Sequence, residues 1–411
     1  MKPIAIILLL FCSFFWIGCH NPQKSADKIN VGQNILLHAE TDNKKDLIEV
    51  DVTKDYPKKD FNWEDLADIE FIPLETKDDF LCEERACIAT LTDNLIVIAN
   101  WSDGNVFIFD RKGNAVKKFN HQGPSGEEYT KIGQAFFDNN KKELYVNDMF
   151  KKKIFVYDLD GNYKRSFGHI KNTQYSDIGD FSENDLICYD ASTEYRTDKI
   201  NPFLIISKQT GAKIREIIIP LEKKLSLSFT QSTNNGSAST AMPEFPIMKF
   251  ENDFIINELS TDTIYLLKQN YELQPIAVRT PPIQSMSPSV FLLTNMNTRR
   301  YFFMWTVKKE YNWETNVGFP TTSLVYDRKE KTIHEFKLYY QGLRIMTYST
   351  SDFPYIERTC YVKENTYVGV IQAHVLKKKE KSGELKGRLK EIAASLKEDD
   401  NPVLMLIKFK E

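Results

Sequence analysis

Neither sign of charge dominates this chain of 411 residues: 54 lysines and arginines face 57 aspartates and glutamates, a formal net of −3. Nucleic-acid surfaces carry a basic excess or stripe, so no nucleic-acid partner is expected. Histidine is scarce, with six residues scattered singly at 20, 38, 121, 169, 334 and 374. No Gly-x-Ser-x-Gly elbow, His-Glu-x-x-His pair or P-loop occurs, so the sequence signatures of three common catalytic or nucleotide-binding sites are missing. Beyond residue 18 no stretch approaches the roughly 18 apolar residues that a membrane-spanning helix requires. What is present belongs to a folded protein. Hydrophobic residues make up 42% and charged residues 27%, which excludes disorder for most of the chain. Aromatic content is 12%, with 27 Phe and 19 Tyr, and it leans towards strands.

The one long apolar run is Pro3 to Gly18, PIAIILLLFCSFFWIG, preceded by Lys2 and followed at once by polar residues from His20. Its size suits the apolar region of a signal peptide better than a spanning helix. Trp16-Ile17-Gly18-Cys19 resembles a bacterial lipobox, with Trp16 departing from the usual Leu. The resemblance implies cleavage after Gly18, lipidation of Cys19 and a soluble body held at a membrane. The expected division is a signal peptide over 1–18, a tether and N-terminal extension over 19–64, and the folded body over 65–411. Of the remaining cysteines, Cys82 and Cys87 are close enough for a disulfide, while free thiols fit as well. No Cys-x-x-Cys or His-x-His pattern accompanies them as a metal site would require.

The chain repeats. Ile96 to Phe119, IVIANWSDGNVFIFDRKGNAVKKF, aligns without a gap on Leu144 to Phe167, LYVNDMFKKKIFVYDLDGNYKRSF, so Gly113-Asn114 falls on Gly161-Asn162. Each copy holds three strand-like runs, the last two joined by a Gly-Asn turn. Weaker copies follow around Leu186 to Ile218, Phe254 to Val278, Tyr301 to Leu338 and Thr366 to Phe409. A fourth strand precedes most of them. Four antiparallel strands per unit of 40 to 50 residues is the signature of propeller blades, which must close into a ring to bury their faces. The fold expected is therefore all-β: a six-bladed β-propeller with four-stranded antiparallel blades. Ile69 to Leu74 should complete the sheet that ends with Leu404 to Ile407. One short helix is expected within Gly383–Lys397, where Leu385, Leu389, Ile392, Ala393 and Leu396 have helical spacing. Lys377 to Lys381 reads as a solvated turn.

The segment FVYDLDGNYKRSFG resembles NHL-type propeller repeats. With the lipobox, the loop His121 to Tyr129 (HQGPSGEEY) and the ending LKEIAASLKEDDNPVLMLIKFK, the chain resembles the six-bladed β-propeller lipoproteins of Bacteroides-type bacteria. The later blades depart from the pattern at Asn270 and Lys331, where the Asp-x-x-Gly turn is lost. The resemblance implies a fold and an envelope address, not a reaction. Surface-exposed lipoproteins of that group often carry an acidic run after the lipidated Cys. His20 to Lys24 has none, so the periplasmic side of the outer membrane is expected.

With the strands of a blade lettered A to D from the axis outwards, the A–B and C–D turns share one face, and the B–C loops and D-to-A crossovers share the other. The second set is longer and more varied here, and function tends to sit in such loops. Candidate ligand contacts on that face are Asn100, Trp101 and Asp103; Asn147, Asp148 and Lys151; Tyr189, Asp190 and Arg196; Glu258 and Asp262. Insertions over Leu221–Met242 and Val307–Pro320 can cover it, the second bringing Tyr311 and Trp313, which suit stacking on a sugar or flat ligand. Each has a plainer role as well: the aromatics can pack between blades, and acids and amides can end strands and start turns. The loop HQGPSGEEY reads as turn chemistry, since a phosphate cradle needs a strand before and a helix after. The function expected is non-catalytic recognition of a protein, peptide or glycan, with no cofactor. The alternative is a metal-dependent, lactonase-like hydrolase or lyase, with Asp148, Asp190 and Glu258 converging on a hard cation at the axis.

Overall fold

The computed structural model describes residues 47–192, 201–233, 236–242, 244–347, 353–357 and 365–410. Cys19 and Arg196 lie outside the described residues. Six sheets of four antiparallel strands form the blades, as expected. Blade 1 consists of Cys87–Leu91, Leu95–Ala99, Asn105–Asp110 and Ala115–Asn120. Blade 2 runs Gln134–Asp138, Glu143–Asp148, Lys153–Tyr157 and Tyr163–Gly168. Blade 3 runs Tyr175–Asp180, Asp185–Asp190, Phe203–Ser207 and Lys213–Ile217. Blade 4 holds Ile247–Phe250, Asp253–Ile256, Thr263–Leu267 and Leu273–Thr280, and blade 5 holds Val290–Asn297, Tyr301–Lys308, Thr321–Asp327 and Thr332–Tyr340.

Blade 6 takes its outermost strand from the other end of the chain. Tyr355–Glu357, Thr366–Ile371 and Val403–Phe409 are completed by Ala67–Pro73, with Ile69 opposite Ile407 and Ile72 opposite Leu404. The pairing proposed for Ile69 to Leu74 is thus present. Buried hydrophobics fall into clusters that each join one blade to the next. Ile72, Leu74 and Leu404 meet Ile96 and Phe107 between blades 6 and 1, and the other five interfaces are filled likewise. Because a blade is covered on both faces, its inner strands read as unbroken apolar runs such as Leu95–Ala99 rather than as alternating ones.

Two features differ from the expectation. The body begins before residue 65. Strand β1 (Ile48–Asp51) pairs in parallel with the outer strand of blade 4, Ile48 opposite Ala277, and β2 (Lys58–Asn62) pairs in parallel with that of blade 5, Phe61 opposite Leu338. The first described segment therefore runs around the rim from blade 4 to blade 6. The region between the B and C strands of blade 6 holds two helices, Ala373–Lys381 and Gly387–Ser395, rather than one. The second is the helix read from the spacing, with Leu389, Ile392 and Ala393 buried. The first absorbs the charged stretch read as a turn: Val375 and Leu376 face the core, and Lys377 Nζ donates to Ala393 O at 2.9 Å.

The repeated turns explain the Gly-Asn pair. Asp110 Oδ1 accepts from the Lys112 and Asn114 backbone N–H groups at 2.8 and 2.9 Å, and Asp158 does the same for Asp160 and Asn162. Gly113 sits at φ +89, and a Cβ there would lie 2.1 Å from the Pro73 carbonyl oxygen. Gly113→Ala is therefore expected to cost about 3 kcal/mol in denaturant unfolding, from left-handed strain plus the clash with the closing strand. Gly126→Ala, where a Cβ meets nothing within 4 Å, should change stability by less than about 0.5 kcal/mol. Equal effects at both positions would contradict this.

Candidate functional site

The residues singled out at the ends of the B strands sit at the long-loop ends of blades 1 to 4, one group per blade, and most are buried. Asn100 Nδ2 donates to Leu81 O at 3.0 Å and to Asp103 Oδ2 at 3.1 Å, while its Oδ1 accepts from Glu83 N at 2.9 Å. Asp103 Oδ1 also accepts from Asn105 N at 2.9 Å. Asp148 is fully buried, and its carboxylate accepts the backbone N–H groups of Thr130, Phe150 and Lys151 at 2.5, 2.8 and 2.9 Å. Asp190 Oδ1 does the same for Gln174 and Ser192. Asn100, Asp148 and Asp190 each tie a B–C loop to the crossover that enters the same blade, while Asp103 braces the loop from within. Asn147 reaches sideways instead, its Nδ2 donating to Tyr175 O of blade 3 at 3.0 Å. Asn257 Nδ2 donates to Leu292 O of blade 5 in the same sense.

His169 belongs to this network. Its Nε2 lies 2.9 Å from Asn147 Oδ1, and its Nδ1 accepts from Tyr175 N at 3.2 Å, which fixes a neutral ring with the proton on Nε2. Burial pulls its pKa down to about 4. Glu258 is also enclosed. Its Oε2 accepts from Tyr189 OH at 2.8 Å and from Lys224 Nζ at 2.6 Å, and its Oε1 accepts from Ser260 N and Oγ. Asp262 accepts from Ile283 N at 2.6 Å and lies 3.4 Å from Arg279 Nη1. Among the described residues no three His, Cys, Asp or Glu side chains gather as a metal site would require. Asp148, Asp190 and Glu258 are therefore not brought together as the alternative reading requires: the two aspartates hold backbone N–H groups of their own blades, and Glu258 is held by Tyr189, Lys224 and Ser260. Cys82 and Cys87 are thiols, without a disulfide between them. Burial pushes Cys82 up to about 12.

The loop HQGPSGEEY turns its carbonyls inward onto a lysine. Lys151 Nζ donates to Gly123 O, Ser125 O and Glu128 O at 2.9, 3.0 and 2.7 Å. This is a capped turn, as its composition suggested. The two insertions pack on each other above blades 4 and 5. Leu227, Leu259, Ile283, Phe291, Trp305, Val307 and Phe319 form one buried cluster. Tyr311 joins it, with its ring 5.7 Å from Phe319 and 4.7 Å from the edge-on Trp313. Both are half-buried.

Over blades 1 and 2 no described residue of the two insertions packs on the same face. Trp101 is 44% exposed, and Lys131 Nζ stands 3.9 Å from its ring centroid. Phe150 is 66% exposed, on the B–C loop of the next blade. Leu81, on the crossover into blade 1, is exposed too. Sequence reasoning picked Trp101 and passed over Phe150 and Lys131. The available signal was an aromatic at the head of the Lys-rich loop Phe150 to Lys153, immediately after the turn that Asp148 caps. Between the innermost strands lies a cavity of ≈ 230 Å³, lined in part by Thr90, Gln134, Asp177, Asp180 and Lys249. Gln134 Nε2 donates to Asp177 Oδ1 at 2.8 Å, and Asp177 Oδ2 accepts from Ile247 N at 3.1 Å, so three blades are stitched at the axis. Burial lowers the Lys249 pKa to about 8.

No helix among the described residues is long and apolar enough to cross a membrane. No functionally curated protein matches the chain. Among solved structures, a Bacteroides fragilis protein described as a candidate exported protein is similar at 17% identity and a TM-score of 0.64, covering 89% of this chain and 100% of its own. A Bacteroides vulgatus member of the DUF4221 family gives 10% identity, 84% and 96% coverage and a TM-score of 0.48. A virginiamycin B lyase from Staphylococcus aureus gives 11%, 83%, 99% and 0.39. At those last two scores neither bears on what this chain does, and the first speaks to the fold alone. Residues 47–408, from strand β1 almost to the end of blade 6, match the family described as a domain of unknown function, DUF4934, and the chain belongs to it.

Proposed function

We propose that this protein is an envelope-anchored recognition module, held at the membrane through lipid on Cys19 and binding a protein, peptide or glycan through the open half of its long-loop face. One observation carries the reading. Trp101 and Phe150 stand exposed on adjacent blades while the backbone beneath each is fixed by a buried or bonded carboxylate. Glu83 accepts from the backbone of Trp101 and Ser102, and Asp148 accepts from Phe150. Rigid aromatics offer a large contact area at low entropic cost, and such anchors dominate binding energies. Lys131 over the indole adds charge and keeps the ring in place. The candidate exported protein similar in fold supports an address beyond the cytoplasm, as does the signal-like run before Cys19. The polar candidates Asn100, Asn147, Asp148, Tyr189, Asp190 and Glu258 act in this reading by holding the loops.

The test is a glycan array with cross-linking to envelope proteins, comparing the parent with Trp101→Ala/Phe150→Ala. The double variant is expected to weaken the captured interaction at least about tenfold, since each exposed aromatic anchor contributes about 1 kcal/mol or more. Ile214→Ser, at an exposed position on the outer strand of blade 3, should leave it unchanged. Equal binding by the double variant and the parent would remove this face from the proposal. Cys19→Ala should release the protein from the membrane fraction; retention there would remove the anchor.

A further inference from the structure

A second cleft opens on the opposite face, among the short turns of blades 5 and 6. Its volume is ≈ 470 Å³, and Arg299, Arg300, Arg328, Lys329 and Lys410 supply five of its seven lining residues, with Thr298 and Asn365 completing it. Arg299 and Arg300 come from the A–B turn of blade 5, Arg328 and Lys329 from its C–D turn, and Lys410 from the end of blade 6. The cleft is thus built by turns brought together through blade packing and is invisible as a run of charge in the sequence.

Some of this charge is balanced. Arg300 Nη2 meets the buried Asp327 at 2.9 Å, Arg299 lies 3.5 Å from Glu251, and Lys410 lies 4.0 Å from Asp68. Arg328 is different. Its Nη1 donates to Thr298 O at 2.7 Å and its Nη2 to Asn297 Oδ1 at 2.6 Å, with the guanidinium 5.6 Å from the Phe302 ring centroid. Asn297 is itself held, its N–H donating to Tyr367 OH at 2.8 Å. Among the described residues no carboxylate pairs with Arg328 or Lys329. A guanidinium oriented by neutral acceptors keeps its full charge and has N–H donors to spare. Burial pulls the Arg328 pKa down, so its charge is under-compensated where it stands.

We infer that this cleft binds the tetrahedral oxyanion of a phosphate- or sulfate-bearing ligand. Planar guanidinium forks match such groups through paired N–H bonds, and prepositioned donors reduce the ordering cost of binding. The volume falls within the range of small-ligand pockets and leaves room for a sugar-sized body beyond the anion. The site goes beyond the recognition face and does not depend on it.

The test is a titration of the full chain with inorganic pyrophosphate and, separately, with inorganic sulfate at low ionic strength, read by thermal shift and by phosphorus NMR. Saturable pyrophosphate binding is expected, weakened about fivefold or more by Arg328→Gln and by Lys329→Ala. Lys329 is exposed, so its variant tests the site even if the Arg328 variant unfolds. Trp101→Ala should leave this binding unchanged, which separates the two faces. Sulfate that displaces pyrophosphate at similar concentrations assigns both esters to the cleft; sulfate that does not restricts it to phosphate. No saturation with either anion, or saturation undiminished in both variants, overturns the inference.

Discussion

A chain that begins at residue 65 is expected to lose about 4–8 kcal/mol of stability and to aggregate on mild heating, although every blade keeps its four strands. Removing residues 47–64 strips Ile48 and Val50 from the core between blades 4 and 5, and Phe61 and Trp63 from the core between blades 5 and 6. All four are nearly or fully buried. At roughly 1.5–3 kcal/mol for each large apolar side chain, less the part already buried in the unfolded chain, several kcal/mol disappear. The loss also uncovers the surfaces beneath. Trp63 lies edge-on to Phe409 at 5.3 Å, and Phe61 does so to Phe336 at 6.3 Å. Typical domains hold only about 5–15 kcal/mol in total, so this loss approaches the whole. A chain beginning at residue 75 should do worse, because blade 6 then has three strands and its junction with blade 1 loses Ile72 and Leu74. Denaturant unfolding and size-exclusion chromatography of the three lengths decide the matter. A chain from residue 65 with the midpoint of the longer one would show that the rim strands decorate the ring without stabilising it.

The same residues show why the boundary was hard to read. A four-residue strand on an outer edge buries one side only, so β1 contributes just Ile48 and Val50 to any pattern. Apolar residues interrupted by Asp, Glu, Thr and Lys, as over Asp46 to Lys54, resemble a polar tether. Blades 1 and 2 were legible because their turns keep Gly113 and Gly161 at positive φ. In blades 4 and 5 the chain makes equivalent turns with Tyr271 at φ 68 and Lys331 at φ 53, so the fold persists after its sequence mark has gone. The candidate site was legible by position and not by exposure. Asn, Asp and Glu at strand ends mark the loop face correctly, yet the same hydrogen-bonding capacity that suggests a ligand also lets them cap the loops, and here it does. Residue type cannot separate Phe150, which is exposed, from Phe155 five residues later, which is fully buried. The basic cleft lay further from view, since residues about 30 positions apart in two turns of one blade meet there with the end of another.

Stability should fall in two separate steps on acidification, each traceable to one side chain near the junction of blades 2 and 3. The first belongs to His169. Its folded pKa is about 4 against 6.5 when unfolded. Between those values the unfolded chain binds the extra proton, so stability is full above about pH 6.5 and is lost as pH falls towards 4, by about 2–3 kcal/mol. The second belongs to Glu143. Arg165 clasps it with two N–H bonds at 2.7 and 2.8 Å, Tyr145 OH donates at 2.9 Å and Lys164 lies at 2.8 Å. Led by the Arg165 bonds, these hold its pKa at about 2 rather than 4.5. That contribution is complete above pH 4.5 and is lost between 4.5 and 2, by about 2 kcal/mol after allowing for the exposure of Lys164. Urea midpoints followed from pH 7 downwards test both. His169→Gln should flatten the decline between pH 6.5 and 4 and leave the lower step. Glu143→Gln should lower stability at neutral pH, since it leaves the half-buried Arg165 without its carboxylate, and should abolish the lower step alone. If the parent and His169→Gln decline in parallel from pH 6.5 to 4, the neutral histidine between Asn147 and Tyr175 is not what ties these blades together.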